Sequence, residues 1–140
     1  MNTTHTELVL NTDGGARGNP GPAGIGVVIR NPEGRVVAEH KEYIGEATNN
    51  VAEYRALLKG LTEVEKLGAG EVRVNMDSEL IVRQMEGKYK IKEPTLQKLA
   101  AEAFGLIKNF KRVTFTHVRR ELNKEADLLV NQAIDAAMLQ

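Results

Sequence analysis

The chain has no cysteine and no tryptophan, only three phenylalanines and three tyrosines, and no excess of charge, with 19 basic residues against 19 acidic. Without cysteine there is no disulfide framework, no thiolate zinc site and no cysteine nucleophile, a usage that suits a reducing compartment. So few rings leave no aromatic platform of the kind carbohydrate-cleaving sites use, so paired carboxylates here do not suggest a glycosidase. Because the charges cancel, no overall positive field attracts phosphates, and any nucleic-acid binding must come from how charge is distributed. No apolar run approaches the length of a membrane span, and the start "MNTTHTELVLNTD" lacks the order of a secretory signal. The expectation is a soluble cytoplasmic protein with one domain over residues 1–140, monomeric by default.

What is present begins with "LNTDGGARGNPGPAG" at residues 10–24, which puts Asp13 at the foot of a glycine-rich loop directly after an apolar run. Glycines that cradled a phosphate would leave Asp13 beside an anion, unfavourable unless a cation sits between them. The glycines do not form G-x-x-x-x-G-K-[ST], so a nucleotide-binding loop is a distant alternative.

Residues 7–12, 24–30 and 35–43 read as strands, the last two joined by "NPEG", residues suited to a tight turn. From Val51 the period becomes helical through Tyr54, Leu57, Leu58, Leu61, Val64 and Leu67, and Gly68 and Gly70 signal a stop. "EVRVNMD" alternates as a strand, "SELIVRQME" reads as a helix, and "GKYKIKEP" is a basic connector. Leu96 to Ile107 carries helical spacing, "RVTFTHV" is a last strand, and residues 124–139 form a last helix. The predicted order is βββαβααβα, an α/β fold.

A strand that follows a helix back into one sheet is most simply a right-handed crossover, so the strand ending at Asp77 should run parallel to one of the first three. If its neighbour is the first strand, Asp13 and Asp77 end adjacent strands at the edge where open α/β sheets place ligands. Each acid also has a local explanation: turn chemistry for Asp13, a capping box for Asn50 with Glu53, capping by Asp77 with Ser78, and dipole complementation by Asp127 behind Asn123. Together, however, two strand ends and two helix starts converge. Like charges so placed raise one another's pKa or demand a cation, and an all-oxygen donor set favours Mg²⁺ or Mn²⁺ over zinc.

The blocks "TDGGARGNPGPAGIGVVI", "TNNVAEYRALLKGL", "VNMDSELIVRQMEGKYK" and "HVRRELNKEADLLVNQAID" occur in an order and at distances that resemble the type 1 ribonucleases H over nearly the whole chain. The resemblance implies the ribonuclease H-like fold, a five-stranded mixed sheet flanked by helices. It also implies a metal-dependent endoribonuclease that cuts the RNA strand of RNA–DNA hybrids, leaving 5′-phosphate and 3′-hydroxyl ends. The family's catalytic, metal-binding acids fall on Asp13, Glu53, Asp77 and Asp127. Asp13 would bridge two ions, Glu53 and Asp77 would hold the one on the leaving-group side, and Asp127 the one that activates water.

Substrate contacts implied by the resemblance fall on Gly14 and Gly15, whose bare backbone can approach a 2′-hydroxyl, on Asn19, Asn49 and Asn50, and on Thr48 near a phosphate of the DNA strand. Asn50 serves equally well as a helix cap. Two positions depart from the family. The best-known bacterial members carry a loop histidine before the last acid, whereas residues 119–123 contain none and His117 lies within the last predicted strand. A compact subgroup has an arginine nearby, so Arg119 or Arg120 becomes the candidate, acting through charge because arginine does not give up its proton. Glu79 stands where many relatives carry a glutamine, and a carboxylate accepts but cannot donate. His5, His40 and His117 read as structural. The connector leaves no room for the family's basic insertion; Lys88, Lys90 and Lys92 there either meet phosphates or form a solvated face. Other nucleases of the same fold and a non-catalytic hybrid-binding module are the alternatives.

Overall fold

β4 (Ala69–Met76) alternates, burying Val72, Val74 and Met76 on one face, and β5 (Arg112–His117) is at most half-buried, while the consecutive buried residues of β1 (Thr6–Ala16) and β2 (Gly21–Arg30) are covered on both sides. With β3 (Val36–Ala47) they form a five-stranded sheet of order β3-β2-β1-β4-β5. The computed structural model describes residues 6–139, and His5 lies outside them. The helices are α1 (Asn49–Lys66), α2 (Glu79–Met85), α3 (Pro94–Ile107) and α4 (Lys124–Met138), so the expected order holds, with a 3-10 turn, Arg120–Asn123, added before α4. No described helix is long and apolar enough to cross a membrane.

The first three strands form an antiparallel meander, and β4 returns parallel to β1 with Asn11 opposite Asn75, as the crossover argument requires. β5 continues the parallel half beside β4. One face of the sheet, carrying Leu10, Val27, Ile29, Val74 and Met76, packs on Tyr54, Leu57, Leu61 and Val64 of α1 and on Leu96, Ala100 and Ala103 of α3. The other face holds a smaller cluster of Val28, Ala126 and Leu129 under α4. Glycines on β2 permit α4 to lie against the sheet: a β-carbon at Gly26 would stand 2.2 Å from the Ala126 carbonyl oxygen.

Two local expectations need correction. β1 does not end before the glycines; Gly14, Gly15 and Ala16 pair with Ile25, Gly24 and Ala23, and the expected loop shrinks to a tight turn in which the Arg17 amide donates to the Pro22 carbonyl at 2.8 Å. Asp13 therefore sits inside a strand rather than at its end. Asn50 does not cap α1. Thr48 does, its hydroxyl accepting from the Val51 amide at 3.2 Å, because the helix begins at Asn49, two residues before the apolar periodicity becomes visible. Asn123 makes no side-chain cap of α4; its amide is engaged by β1, as described below. Ser78 does cap α2, its hydroxyl accepting from the Ile81 amide at 3.3 Å. His40 lies 3.5 Å from the Glu63 carboxylate on α1, and His117 is the exposed last residue of β5.

Candidate active site

β1 and β4 run parallel and in register up to Asn11 and Asn75, so Asp13 and Asp77 emerge side by side two residues further on. α1 then crosses β1 at Gly14, where the missing side chain allows the helix start to approach and brings in Glu53. A ligand oxygen from each of Asp13, Glu53 and Asp77 lies within 4.8 Å of the others. The opposite anchor of this helix start is a buried hydrogen bond in which the Tyr54 hydroxyl donates to Gln84 Oε1 at 2.7 Å, tying α1 to α2.

The acids are held in a cavity of about 500 Å³ that also receives Asp127 from the first turn of α4. Asp13 and Glu53 are buried, at 6% and 8% exposure, while Asp127 is exposed. Burial raises the Asp13 pKa to about 8, with the Asp77 charge and a hydrogen-bonded Asp127 carboxyl adding to the shift and the Gly14 amide opposing it. Burial, then the charges of Asp13 and Asp77, also push Glu53 well up. Burial raises Asp77 as well, opposed by the nearby Asn123 amide and by the Arg120 and His117 charges.

This donor set fits a hard divalent cation. Glu53 Oε1 is buried with no hydrogen-bond partner among the described residues, an expensive state for a carboxylate oxygen. Clustered carboxylates that repel one another around such an oxygen form a site a cation would complete.

Of the residues singled out in the sequence, Asp13, Gly14, Gly15, Asn49, Asn50, Glu53, Asp77, Arg120 and Asp127 line this cavity. Arg120 lines the cavity and Arg119 does not; the Arg120 charge lowers the pKa of both Glu53 and Asp77, and His117 adds to it at Asp77. Thr48 and Asn19 support the wall instead of lining it. Thr48 caps α1, and Asn19 Oδ1 accepts from the Asn49 amide at 3.0 Å while Asn49 Oδ1 accepts from the Ala16 amide at 2.8 Å. Both side-chain oxygens are thereby occupied. Glu79 is exposed on α2, 3.7 Å from Arg83, and is not part of the cavity. Lys88, Lys90 and Lys92 are all exposed, and Lys88 lies 3.4 Å from Glu86.

Sequence reasoning missed Arg17, Asn131 and Ile134 on the far wall. Arg17 reaches across to α4, 2.7 Å from Asp135 and 3.0 Å from Asn131 Oδ1. The spacing of Asp127, Asn131 and Asp135 by one helical turn was the available signal.

Comparison with known proteins agrees with this fold. Residues 11–133 match the family described as Reverse transcriptase-like. The bifunctional protein Rv2228c of Mycobacterium tuberculosis is 51% identical over 132 residues, which cover 94% of this chain and 36% of the relative, so the chain spans about a third of that protein. Its N-terminal RNase H domain, solved as a fusion protein, superposes with a TM-score of 0.92 at 50% identity, covering 96% of this chain and 97% of that one. LC11-RNase H1, solved in complex with an RNA/DNA hybrid, is 51% identical with a TM-score of 0.90, covering 94% of this chain and 99% of that one. Ribonuclease HI of Halobacterium salinarum is 40% identical over 125 residues, covering 89% of this chain and 63% of the relative. The order of elements and the five-stranded sheet therefore have one common explanation: the chain belongs to the type 1 ribonuclease H family, with its bacterial and archaeal members.

Proposed function

We propose that the protein is a metal-dependent endoribonuclease that hydrolyses the RNA strand of RNA–DNA hybrids, leaving 5′-phosphate and 3′-hydroxyl ends. The observation that carries this reading is the Asp13, Glu53 and Asp77 cluster, with its unpartnered Glu53 oxygen, inside a cavity that also holds Asp127. Similarity to a ribonuclease H1 solved with an RNA/DNA hybrid supports the substrate class.

Asp13, Glu53, Asp77 and Asp127 would hold two divalent cations, Mg²⁺ or Mn²⁺, which when bound supply an activated water and charge neutralisation at the leaving oxygen. The remaining work belongs to the chain. Gly14 and Gly15 present bare backbone beside the acids, where the 2′-hydroxyl that distinguishes RNA from DNA can be read. Asn49, its oxygen occupied by Ala16, offers only its N–H donors to the cavity, which suits the acceptor groups of a nucleic-acid backbone or groove. Arg120 adds a permanent positive charge at the edge of the acids, in the region where other members carry a histidine. It steadies negative charge and moves no proton.

The test is cleavage of an end-labelled RNA presented as single strand, RNA duplex and RNA–DNA hybrid, with Mg²⁺, Mn²⁺ or EDTA. Internal cutting confined to the hybrid and abolished by EDTA is the expected result. Hybrid binding without cutting under either metal would replace the enzyme with a binding module.

A further inference from the structure

Asparagine is disfavoured inside strands, yet Asn11 on β1 and Asn75 on β4 stand opposite each other, and Asn11 is almost completely buried. Asn123 before α4 is 2% exposed and forgoes the side-chain cap that asparagine ordinarily provides at such a position. These three residues are joined. Asn123 Nδ2 donates to the Thr12 carbonyl at 2.9 Å, and because a carbonyl can only accept, this bond fixes which way the amide points. Asn123 Oδ1 then accepts from Asn11 Nδ2 at 3.0 Å, and Asn11 Oδ1 in turn accepts from Asn75 Nδ2 at 3.3 Å. The Thr12 carbonyl therefore sets the direction of the whole series, from β4 through β1 to the turn.

At its far end the series meets the acid cluster. The Asn123 contact to the Thr12 carbonyl adjoins Asp13, and the turn that Asn123 closes carries Arg120 and leads into the helix of Asp127. Donors arranged head to tail in a buried setting polarise one another. Backbone held by such a series beside a ligand residue fixes where that residue's carboxylate stands toward a cation.

We infer that Asn75, Asn11 and Asn123 are positioning residues that set β1 at Asp13 and the Arg120–Asn123 turn that leads to Asp127, and through them the affinity of the acid cluster for a divalent cation. The inference rests on the cation-binding reading of that cluster. Mn²⁺ alone, without nucleic acid, is titrated into the full chain and free Mn²⁺ is followed by electron paramagnetic resonance, beside thermal midpoints in metal-free buffer. Asn11→Leu and Asn75→Ala are each expected to weaken Mn²⁺ binding about 10-fold, the scale of supporting hydrogen bonds around metal ligands. Val72→Ala, a core truncation outside the series, should lower the thermal midpoint and leave Mn²⁺ affinity unchanged. Asn75 is only half-buried, so Asn75→Ala decides the matter if Asn11→Leu does not fold. Wild-type affinity in Asn75→Ala, or a loss in Val72→Ala equal to that in the asparagine variants, overturns the inference. Absence of Mn²⁺ binding in the unsubstituted chain overturns the cation reading itself and is visible before any variant is made.

Discussion

A β-carbon at Gly14 would lie 2.1 Å from the carbonyl oxygen of Ala52, far inside van der Waals contact. β1 and the start of α1 touch backbone to backbone there, and this contact brings Glu53 beside Asp13. Gly14→Ala must push the helix start away, because neither partner is a flexible side chain. The expected cost is about 3 kcal/mol of stability, measured by urea unfolding, together with lost activity on RNA–DNA hybrid. Stability within experimental error of wild type would show that α1 can shift freely and that the contact does not set the site.

Asp13→Asn removes the central repulsion of the cluster. The Asp13 pKa of the folded protein is raised to about 8 from the ordinary 3.8, so the folded state holds a proton that the unfolded chain has released across that window. Stability of the metal-free protein should therefore fall as pH rises from 4 to 8. In Asp13→Asn that decline should flatten, and at pH 7 the variant should be more stable than wild type by about 1 kcal/mol or more, while cleavage is abolished. A clear loss of stability at pH 7 in EDTA would assign the aspartate a structural role.

Adding Mg²⁺ at pH 8 should raise the thermal midpoint of the wild type, since a ligand bound only by the folded state stabilises it by mass action. The same addition to Asp13→Asn should move the midpoint little. Equal shifts in both would place the cation elsewhere.

Arg120→Ala should slow hybrid cleavage by about 10-fold or more, as expected when one positive charge is removed from beside the reacting acids. Arg119→Ala should leave the rate near wild type, because only Arg120 lines the acid cavity. Steady-state rates on one hybrid substrate decide it, and the reverse ranking would move the role to Arg119.

Glu63 titrates in the opposite sense from the acid cluster. Lys59, Lys66 and His40 lie within 3.5 Å of its carboxylate; burial is the largest single effect and raises its pKa, but the two lysine hydrogen bonds and the neighbouring positive charges together outweigh it and lower the pKa. Its contribution is present above the ordinary glutamate range and lost as pH falls below about 4.5. Glu63→Gln should cost less than about 1 kcal/mol at pH 7 and nothing at pH 3. A difference that persists unchanged at pH 3 would show that packing, not charge, is responsible.

Much of this was legible because it depends on short-range rules. The helical period of Tyr54, Leu57, Leu61 and Val64 and the alternation of Val72, Val74 and Met76 follow from which face each element must bury, and all of these residues are buried. The four acids stood in the four blocks that resemble the family. Less legible was the path of β1 through Gly14 and Gly15: glycine signals a turn locally, and only pairing with Gly24 and Ile25 holds it extended. Thr48 was hidden as the cap by two polar residues before the apolar periodicity, and Asn123 by a sequence position that looks like an ordinary cap.

The sequence by itself determined the order of the elements and the buried faces, because periodicity and residue type act over a turn or a strand, and the resemblance of its four blocks pointed to the four acids. Only the tertiary structure decided which arginine faces the acids, which asparagines support the wall and which reach the cavity, and that Arg17 spans to Asp135. Those outcomes depend on the distance and direction between elements far apart in the chain, quantities set by glycine-mediated helix–sheet contact and by buried hydrogen bonds between partners such as Asn11 and Asn123.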